Sequence, residues 1–329
     1  SNKKGLRKLY INDKLLDEAL VLNFNKGQSF TGENTVEIQL HGSFAVIKAC
    51  LNALGKFDGF RNANPGEFTK RAFENGRLDL SQVEGLSELI DAETSVQLDQ
   101  AQRIFDGSLG KIVADWRSEI IDCKALIEVS IDFVEEDVPS DLSEEILKKL
   151  RKIKASIQKE IDGSLISEKI KSGFEVAIIG APNVGKSTLL NALAGREAAI
   201  TSKMAGTTRD IIEVSMDLSG IPILILDTAG IRVSDNEVEK MGVSLALDRA
   251  RKSDLRLFVS DNNDFDSFGL DVLEEDLKVN SKMDINKSTQ GDISISAKFG
   301  DGIDKLLEEF KSIFSSKVSK SSIATNARH

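Results

Sequence analysis

The chain has 329 residues, with 53 Asp and Glu against 43 Lys and Arg and a formal net charge of −10. That length allows two or three domains with ample core, and the acidic balance excludes a protein that grips nucleic acid by one broad positive surface. Cys50 and Cys123 make no disulfide framework and fit a reducing, cytoplasmic setting; no apolar run approaches the about 18 residues of a membrane span, and no signal peptide opens the chain.

In chain order, residues 1–75 mix short strands with a helix. "DEALVLNF" and "NTVEIQLHG" have strand composition, and "SFAVIKACLNALGKF" has helical spacing. Ser1–Asn2 resembles a purification scar and "KKGLRKLYIN" begins abruptly, so the chain reads as part of a longer protein. Residues 76–173 are helical almost throughout, with a break near "EEDVPSDLS". The lysines of "EEILKKLRKIKASIQKEI" fit a nucleic-acid patch or the solvated face of a helix, and the apolar stripe of Ile146, Leu150, Ile153, Ile157 and Ile161 at helical spacing favours the second. From 174 to 316 strands and helices alternate, ending in "GIDKLLEEFKSIF", which indicates a doubly wound α/β domain with a mostly parallel sheet. The expected architecture is therefore multidomain: an α+β N-terminal domain, an all-α helical domain and a doubly wound α/β P-loop domain, with residues 317–329 following it.

One stretch carries chemistry. "FEVAIIGAPNVGKSTLLNALAG" holds G-x-x-x-x-G-K-[ST] from Gly180 to Ser187, between a buried strand (Val176, Ala177, Ile178, Ile179) and a helix (Leu189, Leu190, Ala192, Leu193) that Gly195 can stop. Glycines let backbone N–H groups approach phosphates, and a helix N-terminus favours their charge. Lys186 would neutralise the β- and γ-phosphates and the Ser187 hydroxyl would bind Mg²⁺. Downstream, "ILILDTAG" ends a strand in Asp227, Thr228, Ala229 and Gly230; the carboxylate can organise Mg²⁺ through water and the Gly230 N–H can face a γ-phosphate. Thr208, in "AGTTRD", could complete the Mg²⁺ shell when a γ-phosphate is present. "SKMD" (Ser281, Lys282, Asp284) and "SAK" (Ser296, Ala297, Lys298) follow. A carboxylate at Asp284 can accept from guanine N1–H and its 2-amino group, and adenine offers no such pair. The ordered set resembles the GTPases of the translation-factor class, in which the base motif is Asn-Lys-x-Asp. Here Ser281 stands at the Asn position, with Asn280 one residue early.

The first half of the chain narrows the resemblance. "NPGEFTKRAFENGRLDLSQVEGLSELIDAET", "FTGENTVEIQLHGS", "IDFVEEDVP", "AGTTRD" and "DTAGIRVSDNEVEKMG" are similar to segments of the MnmE/TrmE family of tRNA-modification GTPases, over nearly the whole chain. The resemblance implies a folate-binding, dimerising N-terminal domain (1–75), a helical domain (76–173) and a GTPase domain (174–316) inserted in it, with 317–329 returning to the helical domain. It also implies that the first N-terminal strands and the C-terminal helices, with their Cys-containing tail, lie outside this chain. GTP and GDP, tRNA, a homodimer and an FAD- and NADH-dependent MnmG/GidA-like partner in a heterotetramer are implied too, acting at C5 of the wobble uridine.

The resemblance also assigns residues. Asn183, Val184, Gly185, Lys186, Ser187 and Thr188 of the phosphate loop bind GTP, as do Ser202, Lys203, Met204, Ala205, Gly206 and Thr207. Of these, Asn183, Ser202, Met204 and Thr207 would hold K⁺ in place of an arginine finger's charge. Ile231 occupies the position where a Ras-like enzyme has its water-orienting Gln, and Glu239 matches a carboxylate that positions the water indirectly. Glu37 and Arg77, the latter where the family has Lys, match a pocket for a 5-formyl-tetrahydrofolate-type ligand. His41 and His329 are too few and too separated for a metal site. Two other readings compete: a ribosome-assembly or translation GTPase, and a folate-binding structural module with a vestigial GTPase. The Asn64–Thr94 segment favours RNA modification over the first, and intact Lys186, Ser187, Thr208 and Asp227 disfavour the second.

Overall fold

The computed structural model describes residues 4–132, 142–195, 212–227, 247–265, 270–285 and 291–324. The chain divides into two compact units, Ser1–Glu84 and Gly85–His329.

The first unit holds a three-stranded antiparallel sheet in the order β1 (Lys4–Ile11), β2 (Lys14–Phe24), β3 (Thr35–Gln39). β1, which composition did not suggest, pairs with β2 through a two-residue turn in which Asn12 and Asp13 are both left-handed, with φ of 49° and 63°. Asn and Asp tolerate that conformation, and such turns match the twist of a hairpin. Helices α1 (Phe44–Leu54) and α2 (Glu67–Glu74) follow. The start of α2 is fixed by charge: the Glu67 carboxylate accepts from both Arg61 terminal nitrogens at 2.8 and 2.6 Å, from the Asn64 N–H at 2.8 Å and from Arg71 at 3.0 Å. Arg61 foremost, with the Asn64 amide and Arg71, holds that carboxyl far below the usual range.

The boundary between the units falls within α3 (Leu80–Asp91); at Gly85, which begins the second unit, an added Cβ would fall 2.8 Å from the Phe105 nitrogen at the end of α4 (Ser95–Phe105). Only glycine permits that approach. Thr94 caps α4 in a reciprocal box with Gln97. Two long helices follow, α5 (Ser108–Asp132) and α6 (Leu142–Ser172), joined where the Trp116 indole N–H donates to Ser156 Oγ at 3.0 Å. On α6 the expected apolar stripe is covered unevenly. Ile146 and Ile153 are buried and Ile157 is half-buried, while Leu150 and Ile161 are exposed. The stripe drifts around a straight helix, so one packing face cannot cover all five positions. The expected break near "EEDVPSDLS" falls mostly outside the described residues.

After Gly173, α6 runs into β4 (Phe174–Gly180), the centre of a six-stranded sheet. Its order is β5 (Ile212–Leu218), β6 (Ile221–Asp227), β4, β7 (Leu255–Ser260), β8 (Leu277–Asn280), β9 (Ile293–Ser294). All neighbouring pairs are parallel except β5 with β6. Alternation along β4 splits the core over two faces. Val176 and Ile178 pack with Leu189 and Leu193 of α7 (Lys186–Ala194) and with Phe310 and Phe314 of α8 (Ile303–Val318). Ala177 and Ile179 pack on the other face with Phe258 and with Ala250 of a helical segment that includes 247–252. Past α8 the chain lies against α6: Ser167 Oγ donates to the Ser322 carbonyl at 2.7 Å, and the Ile323 N–H donates to Glu160 at 3.1 Å.

Candidate functional site

The phosphate loop joins the carboxyl end of β4 to the N-terminus of α7. Gly180 closes β4 and cannot carry a side chain, since a Cβ there would lie 2.3 Å from the Val259 carbonyl of β7. Asn183 (φ 66°) and Gly185 (φ 104°) turn the loop through left-handed conformations into α7. Lys186 is buried, and its ammonium donates to the carbonyls of Gly180 and Ala181 at 2.7 and 2.8 Å. The ammonium is thereby folded back over its own loop. Ser187 and Thr188 stand exposed in the first turn of α7, and Val184 is buried beneath the loop. Backbone N–H groups at a helix N-terminus favour anions such as phosphate.

The second part of the site is carried by the carboxyl ends of β7, β8 and β9. Ser281 is buried, and its hydroxyl donates to the Val184 carbonyl at 2.6 Å, with the Ser260 carbonyl 3.2 Å away. The residue at the Asn position of the base motif therefore ties that motif to the phosphate loop. Lys282 is left-handed, with φ of 56°, and its ammonium meets Asp261 at 2.7 Å. The Asp284 carboxylate is exposed and accepts from the buried Ser296 hydroxyl at 2.7 Å. Ser296 is itself held by a turn in which the Gly300 N–H donates to its carbonyl at 2.8 Å. Ala297 is half-buried, and the Lys298 ammonium lies 5.2 Å from the Phe299 ring centre. Asn280, one residue before Ser281, is buried, and neither of its amide atoms has a hydrogen-bond partner among the described residues.

The structure thus brings together Asn183 to Thr188, Ser281, Lys282, Asp284 and Ser296 to Lys298 on one edge of the sheet. Asp227 ends β6, its Cα paired with Ile178 of β4, so the backbone of that motif starts beside the phosphate loop. Ser202, Lys203, Met204, Ala205, Gly206, Thr207, Thr208, Thr228, Ala229, Gly230, Ile231 and Glu239 lie outside the described residues. Sequence reasoning missed Asp261, and nothing in its spacing from Lys282 could have flagged it.

In the first unit Glu37 is exposed on β3. Arg77 is also exposed, its N–H donating to the Ala72 carbonyl at 2.8 Å and its side chain lying over Gly32. No hydrogen bond or ion pair joins Glu37 to Arg77 among the described residues. Cys50 and Cys123 are free and buried. No helix among the described residues is long and apolar enough to cross a membrane.

Residues 80–329 match the family model of the MnmE helical domain, and residues 2–77 match that of the GTP-binding protein TrmE N-terminus. The chain belongs to the MnmE/TrmE family. The tRNA modification GTPase MnmE of Ruegeria sp. (strain TM1040) is 51% identical over 316 residues, 96% of this chain and 73% of that protein. That of Roseobacter denitrificans (strain ATCC 33942 / OCh 114) is 50% identical over 328 residues, 99% of this chain and 76% of that protein. Among solved structures, Aquifex aeolicus Era bound to GDP·AlF4⁻ aligns with 43% of this chain and 56% of its own at 26% identity and a TM-score of 0.30, which adds nothing to the family assignment.

Proposed function

We infer that the chain is a GTP hydrolase acting in tRNA modification. The observation that carries this reading is the 51% identity to a tRNA modification GTPase over 96% of this chain, and the guanine preference rests on Asp284, whose loop the Ser281–Val184 hydrogen bond of 2.6 Å ties to the phosphate loop. A phosphate loop alone accepts any nucleoside triphosphate. Coupled to a carboxylate held by the Ser296 hydroxyl, it selects guanine.

In this reading the loop N–H groups and Lys186 bind the β- and γ-phosphates. On nucleotide binding the Lys186 ammonium leaves the Gly180 and Ala181 carbonyls for phosphate oxygens, an exchange that keeps its hydrogen bonds made. Asp284 accepts from the guanine N1–H and 2-amino groups. Ser187 and Thr208 would hold Mg²⁺; Ser187 is exposed at the start of α7 beside the end of β6, a disposition that fits the ion. Asn183, exposed in the loop, would hold K⁺ with Ser202, Met204 and Thr207; the two ions would supply positive charge where the γ-phosphate develops negative charge. Glu239 would orient the attacking water, a task that apolar Ile231 cannot perform.

The finer features follow the family. The GTPase domain, 174–316, would be inserted between 76–173 and 317–329, and the contacts of Ser322 and Ile323 with α6 support that return. Glu37 and Arg77 would bind a 5-formyl-tetrahydrofolate-type ligand in the N-terminal domain, 1–75; both are exposed, one an acceptor and one a donor for a pterin edge. A homodimer would work with an FAD/NADH-dependent MnmG/GidA-like partner at C5 of the wobble uridine, in the cytoplasm, with K⁺-dependent hydrolysis driving conformational change. The test is phosphate release by the full chain. GTP should be hydrolysed, ATP should not, and Lys186→Ala should abolish the activity. Equal turnover of both nucleotides would overturn the assignment.

A further inference from the structure

We propose that Asp261 is a positioning residue for the guanine site, acting through Lys282; this rests on the GTP reading above. Three observations converge on it. First, the Lys282 backbone is left-handed, with φ of 56°, a conformation that is costly for a non-glycine residue and persists only where its surroundings hold it. Those surroundings are identifiable: the Ser281 N–H donates to the Ser260 carbonyl at 2.8 Å, and the Met283 N–H to the Ile295 carbonyl at 3.0 Å. Second, the far end of Lys282 is also fixed, by the 2.7 Å ion pair with Asp261. A lysine pinned at both its backbone and its ammonium has a four-carbon stem with little freedom left. Third, Asp261 directly follows Ser260, whose hydroxyl donates to Asn262 Oδ1 at 2.9 Å, and the Asp264 N–H donates to the same atom at 3.1 Å. The loop that presents Asp261 is thus braced by its own side chains.

The chemistry of such an arrangement is recognition of a flat ring. An ammonium free in solvent would let the lysine sample many rotamers, and that side-chain entropy would be lost on each binding event. Clamped by Asp261, the stem forms a fixed apolar wall two residues from Asp284, which reads the edge of the base. Asp261 touches no nucleotide in this scheme. It lowers the ordering cost of Lys282, so its contribution belongs to nucleotide affinity and not to the hydrolytic step.

The test is a double-mutant cycle on the full chain, with GDP affinity measured by calorimetry and GTP turnover measured at saturation. Asp261→Asn should weaken GDP by about three- to fivefold, the effect of losing a partly exposed ion pair, and leave saturating turnover unchanged. Lys282→Ala should weaken GDP at least as much. The double variant should bind no more weakly than Lys282→Ala alone, because Asp261 then has nothing to position. Asp261→Glu should recover affinity, which a general loss of folding would not allow. Independent, multiplying losses in the double variant would overturn the proposal, as would a fall in saturating turnover with Asp261→Asn. Equal binding of ATP and GTP by the unaltered chain is a separate result that overturns the guanine reading, and this inference with it.

Discussion

Replacing Gly180 with Ala places a methyl group between two central strands. On this backbone the new Cβ falls 2.3 Å from the Val259 carbonyl oxygen and 3.1 Å from Val184 Cγ2. Close carbon–oxygen contacts in sheets are about 3.3 Å, so β4 and β7 must part by about 1 Å. Gly180 and Val259 are in register in the parallel pair β4–β7, with β6 and β8 on either side, so neither strand can swing away freely. Overpacking of about 1–3 kcal/mol and one weakened ladder bond of about 0.5–1.5 kcal/mol together give about 1.5–4.5 kcal/mol. At about 2–4 °C per kcal/mol for a unit of this size, the melting temperature should fall by about 3–18 °C. Gly185→Ala is the control. Among the described residues nothing lies within 4 Å of its added Cβ, but φ is 104°, so its cost is backbone strain of about 1–3 kcal/mol. Scanning calorimetry without nucleotide should therefore rank Gly180→Ala as the more destabilised, while both variants lose GDP affinity. A Gly180→Ala protein that melts like the unaltered chain would refute the reasoning, because the strands could then not be as close as the structure has them.

GTP turnover in KCl should exceed that in NaCl at least about tenfold, about 1.4 kcal/mol of barrier, and Asn183→Ala should remove most of the difference; equal rates in both salts would count against a K⁺ site. Glu239→Ala should lower turnover and spare GDP affinity, since a water-positioning group acts mainly in the transition state; a parallel loss of affinity would indicate a structural role. The Glu67 carboxyl is held below its ordinary value of 4.5, chiefly by Arg61. Its contribution is therefore fully present above about pH 4.5 and is lost as pH falls below that value toward the depressed folded one. Acid titration of the first unit by circular dichroism should show that loss, and Glu67→Gln should weaken the dependence; an unchanged acid profile would mean that the Arg61–Glu67–Arg71 cluster contributes nothing.

What could be read from the sequence was whatever a single local segment determines. The phosphate loop was legible because its glycine spacing is set by backbone geometry at one strand–helix junction, and Val176 to Ile179 form a strand buried on both faces. β1 was not legible. Its Lys4 and Lys8 interrupt the pattern and its Leu6 and Tyr10 are exposed, so it is defined by pairing with β2 and not by its own alternation. On α6 the apolar stripe gave the helix but not which of its five residues is covered, since coverage depends on the partner helix. The base loop illustrates the same limit. That Ser281 could occupy an Asn position was visible, but its bond to Val184, 97 residues away, and the clamp of Asp261 on Lys282 arise only when β7 and β8 are set beside β4.

Whether the carboxyl end of this sheet selects guanine nucleotides is decided most directly by calorimetric titration of the full chain with GTP, GDP and ATP. GTP and GDP should bind saturably and ATP far more weakly, with Asp284→Ala erasing the difference. Ser281→Asn should sharpen the preference by about the 0.5–1.5 kcal/mol of one hydrogen bond. ATP bound as tightly as GTP would contradict the account.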